Sequence, residues 1–388
     1  MKRVLPLLLA SAVVALGGCG WMKNKSSKRE NIAPPTPLAQ LNASLSVQRL
    51  WEASAGDGAR SSGVRIGPAV AGGKLYAASV DGVVAAFDAA SGKSLWRNKT
   101  KFAFAGGPAV DGDLLVAGTL NGEVLAYDAG TGAERWNVSV SAEVISAAGV
   151  ALDTVVVRSN DGHLYGLDGT SGARKWVFDR NAVPLLSLRG NAAPLIDGSV
   201  VYAGADNGKI FALRLDNGAT LWEQRVALGE GKTEVERLND SDGELVLDGG
   251  VLYAAAYRGS VMALAAGNGR PQWARELSSY TGVAVSASQV YAVDADSNVW
   301  ALDRTSGSSM WKQDAFLHRW LTAPAAQGDY IVVGDIEGYV HWLAASDGKE
   351  VARERLSKDP IRARPVVVGD TVYVEDEQGR IGAYRAAL

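Results

Sequence analysis

Cysteine is nearly absent from this chain. Cys19 is the single one among 388 residues, so no intramolecular disulfide can form and stability has to come from apolar burial. Histidine is almost as scarce, with His163, His318 and His341 alone. His163 directly follows a turn where other repeats carry Val83, Glu123 or Lys209, and His341 stands two places further on in another repeat, where they carry Ala85 or Leu125. Such positions read as strand-surface or inner-face residues, and neither a metal site nor a catalytic residue is expected. No basic run occurs in the body of the chain, which argues against a nucleic-acid partner. Taking Lys2 and Arg3 from the 39 basic residues leaves 37 against 42 acidic ones, a balance of −5 for a processed chain. Nothing in the body reads as a helix, so there is no place for a glycine-rich phosphate loop that leads from a strand into one.

What is present is a repeat. In "PAVDGDLLVAGTLNGEVLAYDAGTGAERW", Pro108 to Trp136, the pairs Asp111-Gly112, Asn121-Gly122 and Thr131-Gly132 lie ten residues apart and separate short apolar runs. This is the signature of hairpins joining the four strands of a meander. The middle turn recurs at Asp81-Gly82, Asn121-Gly122, Asp161-Gly162, Asn207-Gly208, Arg258-Gly259, Ser297-Asn298, Glu337-Gly338 and Gln378-Gly379, at spacings of 40, 40, 46, 51, 39, 40 and 41. That period predicts an all-β, eight-bladed β-propeller of four-stranded antiparallel blades. A closing Trp ends most repeats, at Trp96, Trp136, Trp176, Trp222, Trp273 and Trp311, with Val351 in its place once. The last repeat stops at Leu388 before such a strand, whereas "VQRLWEA" with Trp51 is left over at the front. The N-terminal strand is therefore expected to close the last blade and hide its free edge.

The front of the chain predicts location. Lys2 and Arg3 precede an apolar run from Val4 to Leu16, too short for a stable membrane span, and residues 1–18 read as a secretory signal. Leu16-Gly17-Gly18-Cys19 resembles the bacterial lipobox, in which the cysteine becomes the acylated N-terminus. Gly20 follows, with no Asp to resemble an inner-membrane retention signal, so an outer-membrane anchor facing the periplasm is expected. Residues 19–45 are polar and proline-bearing and read as a tether reaching roughly 25 to 30 Å. The propeller would then occupy residues 46–388.

"AFDAASGKSLW", with its counterparts at Asp128, Asp168 and Asp303, resembles the repeat of quinoprotein propellers, some of which hold pyrroloquinoline quinone. Turn capping by Asp, a left-handed Gly and packing of Trp account for the phrase without a ligand. The adjacent cysteines common in quinone enzymes are absent, so no cofactor is expected.

Two connections break the repeat. From the closing Trp to the start of the next blade the usual interval is near 12 residues, but it is 18 after Trp176 and 23 after Trp222. Both expansions sit at the same point of consecutive repeats and should emerge side by side from one face. The first brings Leu185, Leu186, Leu188 and Arg189, the second Glu234, Glu236, Arg237, Asp240 and Asp242. An apolar knob with an Arg beside carboxylates has the makeup of a protein-binding hot spot. The alternative, leucines folded back onto the blades and charges merely solvated, is equally compatible with this composition.

"PLLSLRGNAAPL", "TEVERLNDSD" and "LHRWLTAPAAQGDYIVVGDIEGYVHWL" resemble the corresponding stretches of the BamB family, the propeller lipoproteins of the outer-membrane β-barrel assembly machinery, and the similarity extends over nearly the whole chain. The resemblance implies a non-enzymatic scaffold that binds the barrel subunit BamA through its POTRA domains and assists the assembly and insertion of outer-membrane proteins. It implies that Leu186, Leu188, Arg189, Asp240 and Asp242 make the partner contact and that Cys19 carries the lipid. Unfolded client proteins are a further possible partner. The alternatives are a quinone-dependent or other small-molecule propeller, and a scaffold for some other envelope complex.

Overall fold

The computed structural model describes residues 33–60, 62–179, 192–227, 241 and 243–387. Pro35–Leu388 is one compact unit. Its strands form eight four-stranded antiparallel sheets, arranged as the blades of an eight-bladed β-propeller. Seven blades are continuous in sequence, spanning 69–99, 109–139, 149–178, 195–225, 246–276, 283–313 and 325–355. The eighth combines Val366–Val368, Thr371–Glu375 and Arg380–Ala386 with Val47–Ser54 as its outer strand, as expected. The innermost strands of neighbouring blades touch around the axis, and Val366–Val368 meets Ala69–Ala71 where the ring closes.

Each blade is a layer covered on both faces, which is why its middle strands are apolar at most positions. Leu114–Gly118 is buried at every position, whereas the outer strand Thr220–Arg225 alternates between half-buried and exposed. One apolar cluster fills each junction between blades. Tyr76, Phe104, Leu115, Leu125 and Tyr127 fill that between the first and second, and Phe87, Tyr373 and Ile381 fill the closure.

The closing tryptophans lock these junctions by a single repeated device. Each outer strand carries a register shift against its neighbour, as between Ala126 and Tyr127 opposite Trp136 and Glu134. The indole N–H of Trp51, Trp96, Trp136, Trp176, Trp222, Trp273 and Trp311 then donates to a backbone carbonyl of the next blade at 2.8 to 3.1 Å. The ring lies on the glycine of that blade's last turn. A Cβ on Gly92, Gly132, Gly172, Gly218, Gly269, Gly307 or Gly348 would sit 2.5 to 2.8 Å from the preceding blade's indole, and all seven have φ between +69° and +75°. The capping Asp of the motif orders the turn: Asp128 accepts from the Thr131 amide and hydroxyl, both at 2.9 Å.

The seventh blade lacks this device, and its register corrects the sequence expectation: Ala352, opposite Trp342, and not Val351, stands at the closing-Trp position. The turn that a Trp there would clasp does not exist in the eighth blade, because the chain ends meet at that point, with the Ala387 amide 3.0 Å from the Ser46 carbonyl. Buried Leu45 packs into the cluster beside Val351 instead, and the Ser44 and Leu45 amides donate to the Val351 carbonyl at 2.9 and 3.1 Å.

Residues 35–45, which the sequence assigns to the tether, make ordered contacts with the blades. Leu38 packs against the cluster between the sixth and seventh blades, and the Thr36 amide donates to the Leu317 carbonyl at 3.0 Å. Beneath them lies a buried ionic network. Arg319 reaches the Thr36 carbonyl at 2.7 Å through Nη1 and the Asp335 carboxylate at 2.7 Å through Nε. Fully buried His341 bridges Asp335, 3.1 Å away, to Glu350, 2.6 Å away, and Arg353 runs from Glu350 to the Ala39 carbonyl. Burial alone would raise the Asp335 carboxyl, but His341 and Arg319 hold it below its ordinary value.

Candidate protein-interaction face

One face of the disc collects both the middle turns and the connections between blades. A connection leaves the outer strand of one blade, crosses that blade's middle turn and enters the next blade at the axis. The crossing is held by backbone hydrogen bonds such as Thr100 amide to Gly82 carbonyl at 2.8 Å, Val140 to Gly122 at 2.9 Å and Val226 to Gly208 at 2.8 Å. In the fifth and sixth blades Arg258 and Ser297 take the left-handed conformation at this turn, with φ of 51° and 73°.

The two long connections occupy this position after the third and fourth blades, so their described ends, Asp179 and Ala192, Ala227 and Ser241, belong to this face. Leu186, Leu188, Arg189, Asp240 and Asp242, expected to bind the partner, lie outside the described residues, as does Cys19. What the structure adds is the ground on which they stand. Buried Arg158 at the end of a third-blade strand pairs with buried Asp206 of the fourth blade's turn, linking the two blades from which the expansions spring. A groove of about 880 Å³ runs beside Ala227, lined by Arg225, Arg258, Met262, Glu276 and Asp296.

Aromatic and arginine side chains lie further round the same face. Tyr257 and Tyr280 meet edge to face at 6.4 Å, with Arg258 over the first ring at 5.4 Å and Arg65 over the second at 5.2 Å. Trp320, 42% exposed and with φ of 51°, lies under Arg362 at 5.9 Å beside exposed Leu317. Sequence reading passed over these residues because they stand in turns and connections of ordinary length. The available signal was Trp320 itself, a tryptophan outside the closing-strand register.

The histidines do not converge. His163 sits 3.0 Å from Asp161, which raises its pKa; His341 is buried in the seventh blade, and His318 lies in the connection before it. Among the described residues no cluster of His, Cys, Asp and Glu could hold a metal ion.

The sequence profile of a family described as outer membrane protein assembly factor BamB matches residues 43–100, 80–313 and 315–387. The chain is 48% identical to the outer membrane protein assembly factor BamB of Pseudomonas aeruginosa, over 99% of this chain and 98% of that one. It is 42% identical to that of Xanthomonas campestris over its whole length and 98% of the relative. The crystal structure of BamB from Moraxella catarrhalis superposes with a TM-score of 0.80 at 31% identity, covering 88% of this chain and all of that one. A quinohemoprotein alcohol dehydrogenase from Pseudomonas putida has a TM-score of 0.70 at 15% identity, over 87% of this chain and 76% of the enzyme, a likeness of fold alone. With matched segments spanning nearly all of the propeller and near-complete coverage of relatives above 40% identity, the chain belongs to the BamB family of outer membrane protein assembly factors.

Proposed function

We propose that this chain is a lipid-anchored, non-enzymatic scaffold for outer-membrane protein assembly, held to the outer membrane through Cys19 and facing the periplasm. It binds the POTRA domains of the barrel subunit BamA through Leu186, Leu188, Arg189, Asp240 and Asp242. The observation that carries the reading is the 48% identity, over 99% of the chain, to a protein named as an outer membrane protein assembly factor. The face that receives both expanded connections supports it, because it also presents the Trp, Tyr and Arg residues in which interface hot spots are enriched. A rigid disc with its variable connections on one side suits alignment of a partner, since the blades need not move when the loops bind.

The test is capture of BamA from membranes by tagged wild type and by Arg189→Glu. Reversing this charge leaves a carboxylate to desolvate without a counter-ion and should weaken binding by roughly 2 to 4 kcal/mol, well over tenfold. The melting temperature should stay near wild type, because the connection is an addition to the blades. Undiminished capture by a folded Arg189→Glu variant would move the contact elsewhere on the disc.

A further inference from the structure

At the middle turn of the third blade two carboxylates meet on one histidine. Asp161 belongs to the turn, and Asp179 directly follows the outer strand Arg174–Phe178. His163 stands between them, with Nδ1 3.0 Å from Asp161 Oδ1 and Nε2 3.4 Å from Asp179 Oδ2. The Nδ1 contact is an ion pair and not an aligned hydrogen bond. Two other blades fill the same place with permanent cations. In the first, Lys99 ends the outer strand opposite Val83, and its Nζ reaches Asp81 of the turn at 2.7 Å. In the fourth, Lys209 stands where the third blade has His163, lies opposite Arg225 and pairs with Glu223 at 2.8 Å. In the third blade the turn and the strand end are both acidic, so attraction between them has to come through the imidazole. The other groups near the ring are accounted for. Tyr165 lies beside it, 6.0 Å between centroids, and donates to the Ser141 hydroxyl, while Glu143, on the same connection as Ser141, accepts from the Asn160 side chain at 3.3 Å. Asp161 and Asp179 are thus the charged groups paired with His163 among the described residues.

We propose that His163 is a proton-operated clasp between the third blade's middle turn and the end of its outer strand. A neutral imidazole has one N–H, so with a carboxylate at each nitrogen one carboxylate faces a lone pair; the imidazolium has an N–H for both. Protonated, the ring draws Asp179 toward Asp161; neutral, it leaves two like charges side by side. The environment favours the closed form: hydrogen bonding to Asp161, with the charges of Asp161 and Asp179, raises the His163 pKa above its ordinary value. Asp161 stays ionised beneath it, because against its burial the Ser141 and Ser159 hydroxyls and His163 hold it down to about 2. A histidine raised in this way contributes fully below the unfolded value of about 6.5 and loses its contribution as pH rises through the folded value. Asp179 is also the residue from which the first long connection departs in sequence. Affinity for the barrel subunit should therefore fall as pH rises through that value. This consequence rests on the scaffold reading; the clasp itself does not.

The experiment has two arms. The first follows the His163 ring protons by NMR across pH in the purified full-length chain in detergent, with the signal assigned by its loss in His163→Gln. The midpoint should lie above the ordinary histidine value and should fall in Asp179→Asn. A midpoint at or below the ordinary value, or one that Asp179→Asn leaves in place, would overturn the proposal. The second arm measures affinity for detergent-solubilised BamA at about pH 5.5 and about pH 8.5. Wild type is compared with His163→Gln, uncharged at both, and with His163→Lys, charged at both and matched by Lys209 in the fourth blade. Wild type should equal the Lys variant at the lower pH and weaken toward the Gln variant at the higher one, by about twofold to fivefold for pairs this exposed. The same pH dependence in all three folded proteins would overturn the link between clasp and partner. Failure of all three to bind BamA at either pH would count against the scaffold reading instead, and the NMR midpoints would still decide the clasp.

Discussion

Gly132 shows how much one residue decides in this ring. Its φ of +75° is left-handed, and a Cβ there would meet the Trp96 ring at 2.6 Å. Gly132→Ala should therefore incur about 1–2 kcal/mol of backbone strain and about 1–3 kcal/mol of overpacking, seen as a lower urea midpoint. Gly112 is also left-handed, at +57°, but a Cβ would meet nothing within 4 Å, so Gly112→Ala should incur the strain alone. Equal losses in the two variants would show that the indole does not grip the turn. Glu375 poses an electrostatic counterpart: it is buried, neither carboxylate oxygen has a partner, and burial, with Asp376 nearby, raises its pKa well above the ordinary value. A folded pKa above the unfolded one, about 4.3, gives stability that is full below that pH and is lost as pH rises toward the folded value. Relative to Glu375→Gln, wild type should lose about 1.4 kcal/mol per pH unit in that window, and the difference should disappear near pH 4. Asp81 runs the other way: despite its burial, the Asp57 amide, Lys99 and Ser79 hold it down to about 2, so its contribution is lost only as pH falls toward that value. Denaturation curves across pH 4 to 8 that are parallel for wild type and Glu375→Gln would show that Glu375 is ionised in the fold.

At the scale of elements, turns and strands were legible because their chemistry is local. The Asp-Gly and Asn-Gly pairs, the alternating strands and the closing Trp each act over a few residues, and the spare strand with Trp51 pairs with Arg380–Ala386 as its sequence implied. The attachment of residues 35–45 to the blades was not legible. Residues 35–45 have no strand pattern, and their attachment depends on Arg319 and Arg353, about 300 positions away in sequence. This alters what truncation should do. Deleting residues 20–34 should leave the melting temperature unchanged. Extending the deletion through Ala39 should lower it measurably, because two charge-assisted contacts to backbone carbonyls and the packing of Leu38 are lost. Removal through Ser54 exposes the edge of the eighth blade and should cause aggregation. Identical melting curves for the three truncations would deny the N-terminal segment any part in closure. The proposed partner residues between Leu186 and Asp242 stood out in the sequence only as a departure from the repeat, a signal of where something was added and not of what it touches.

For the whole molecule, closure of the ring by its N-terminal strand puts the proposed anchor at Cys19 and the fold in series. The segment that leaves Cys19 is continuous with the strand that completes the eighth blade. Cys19→Ala should therefore release the protein from the outer membrane on fractionation while leaving its melting temperature unchanged, and a variant still sedimenting with membranes after a high-salt wash would remove the lipid assignment. Blade number, strand count and the identity of the closing strand follow from the sequence by itself, since a forty-residue period of turn and strand signals is written in short-range chemistry. Only the tertiary structure decided that Ala352 takes the place of a Trp where no turn exists for one to clasp, that His341 ties two carboxylates beneath the N-terminal segment, and that Ser146, Thr281 and Arg364 come together near the axis. Those groups come from different blades, far apart in the chain, and no periodicity relates them. What brings them together is the closing of eight blades on one axis, where each contributes residues of the segment by which it enters the ring.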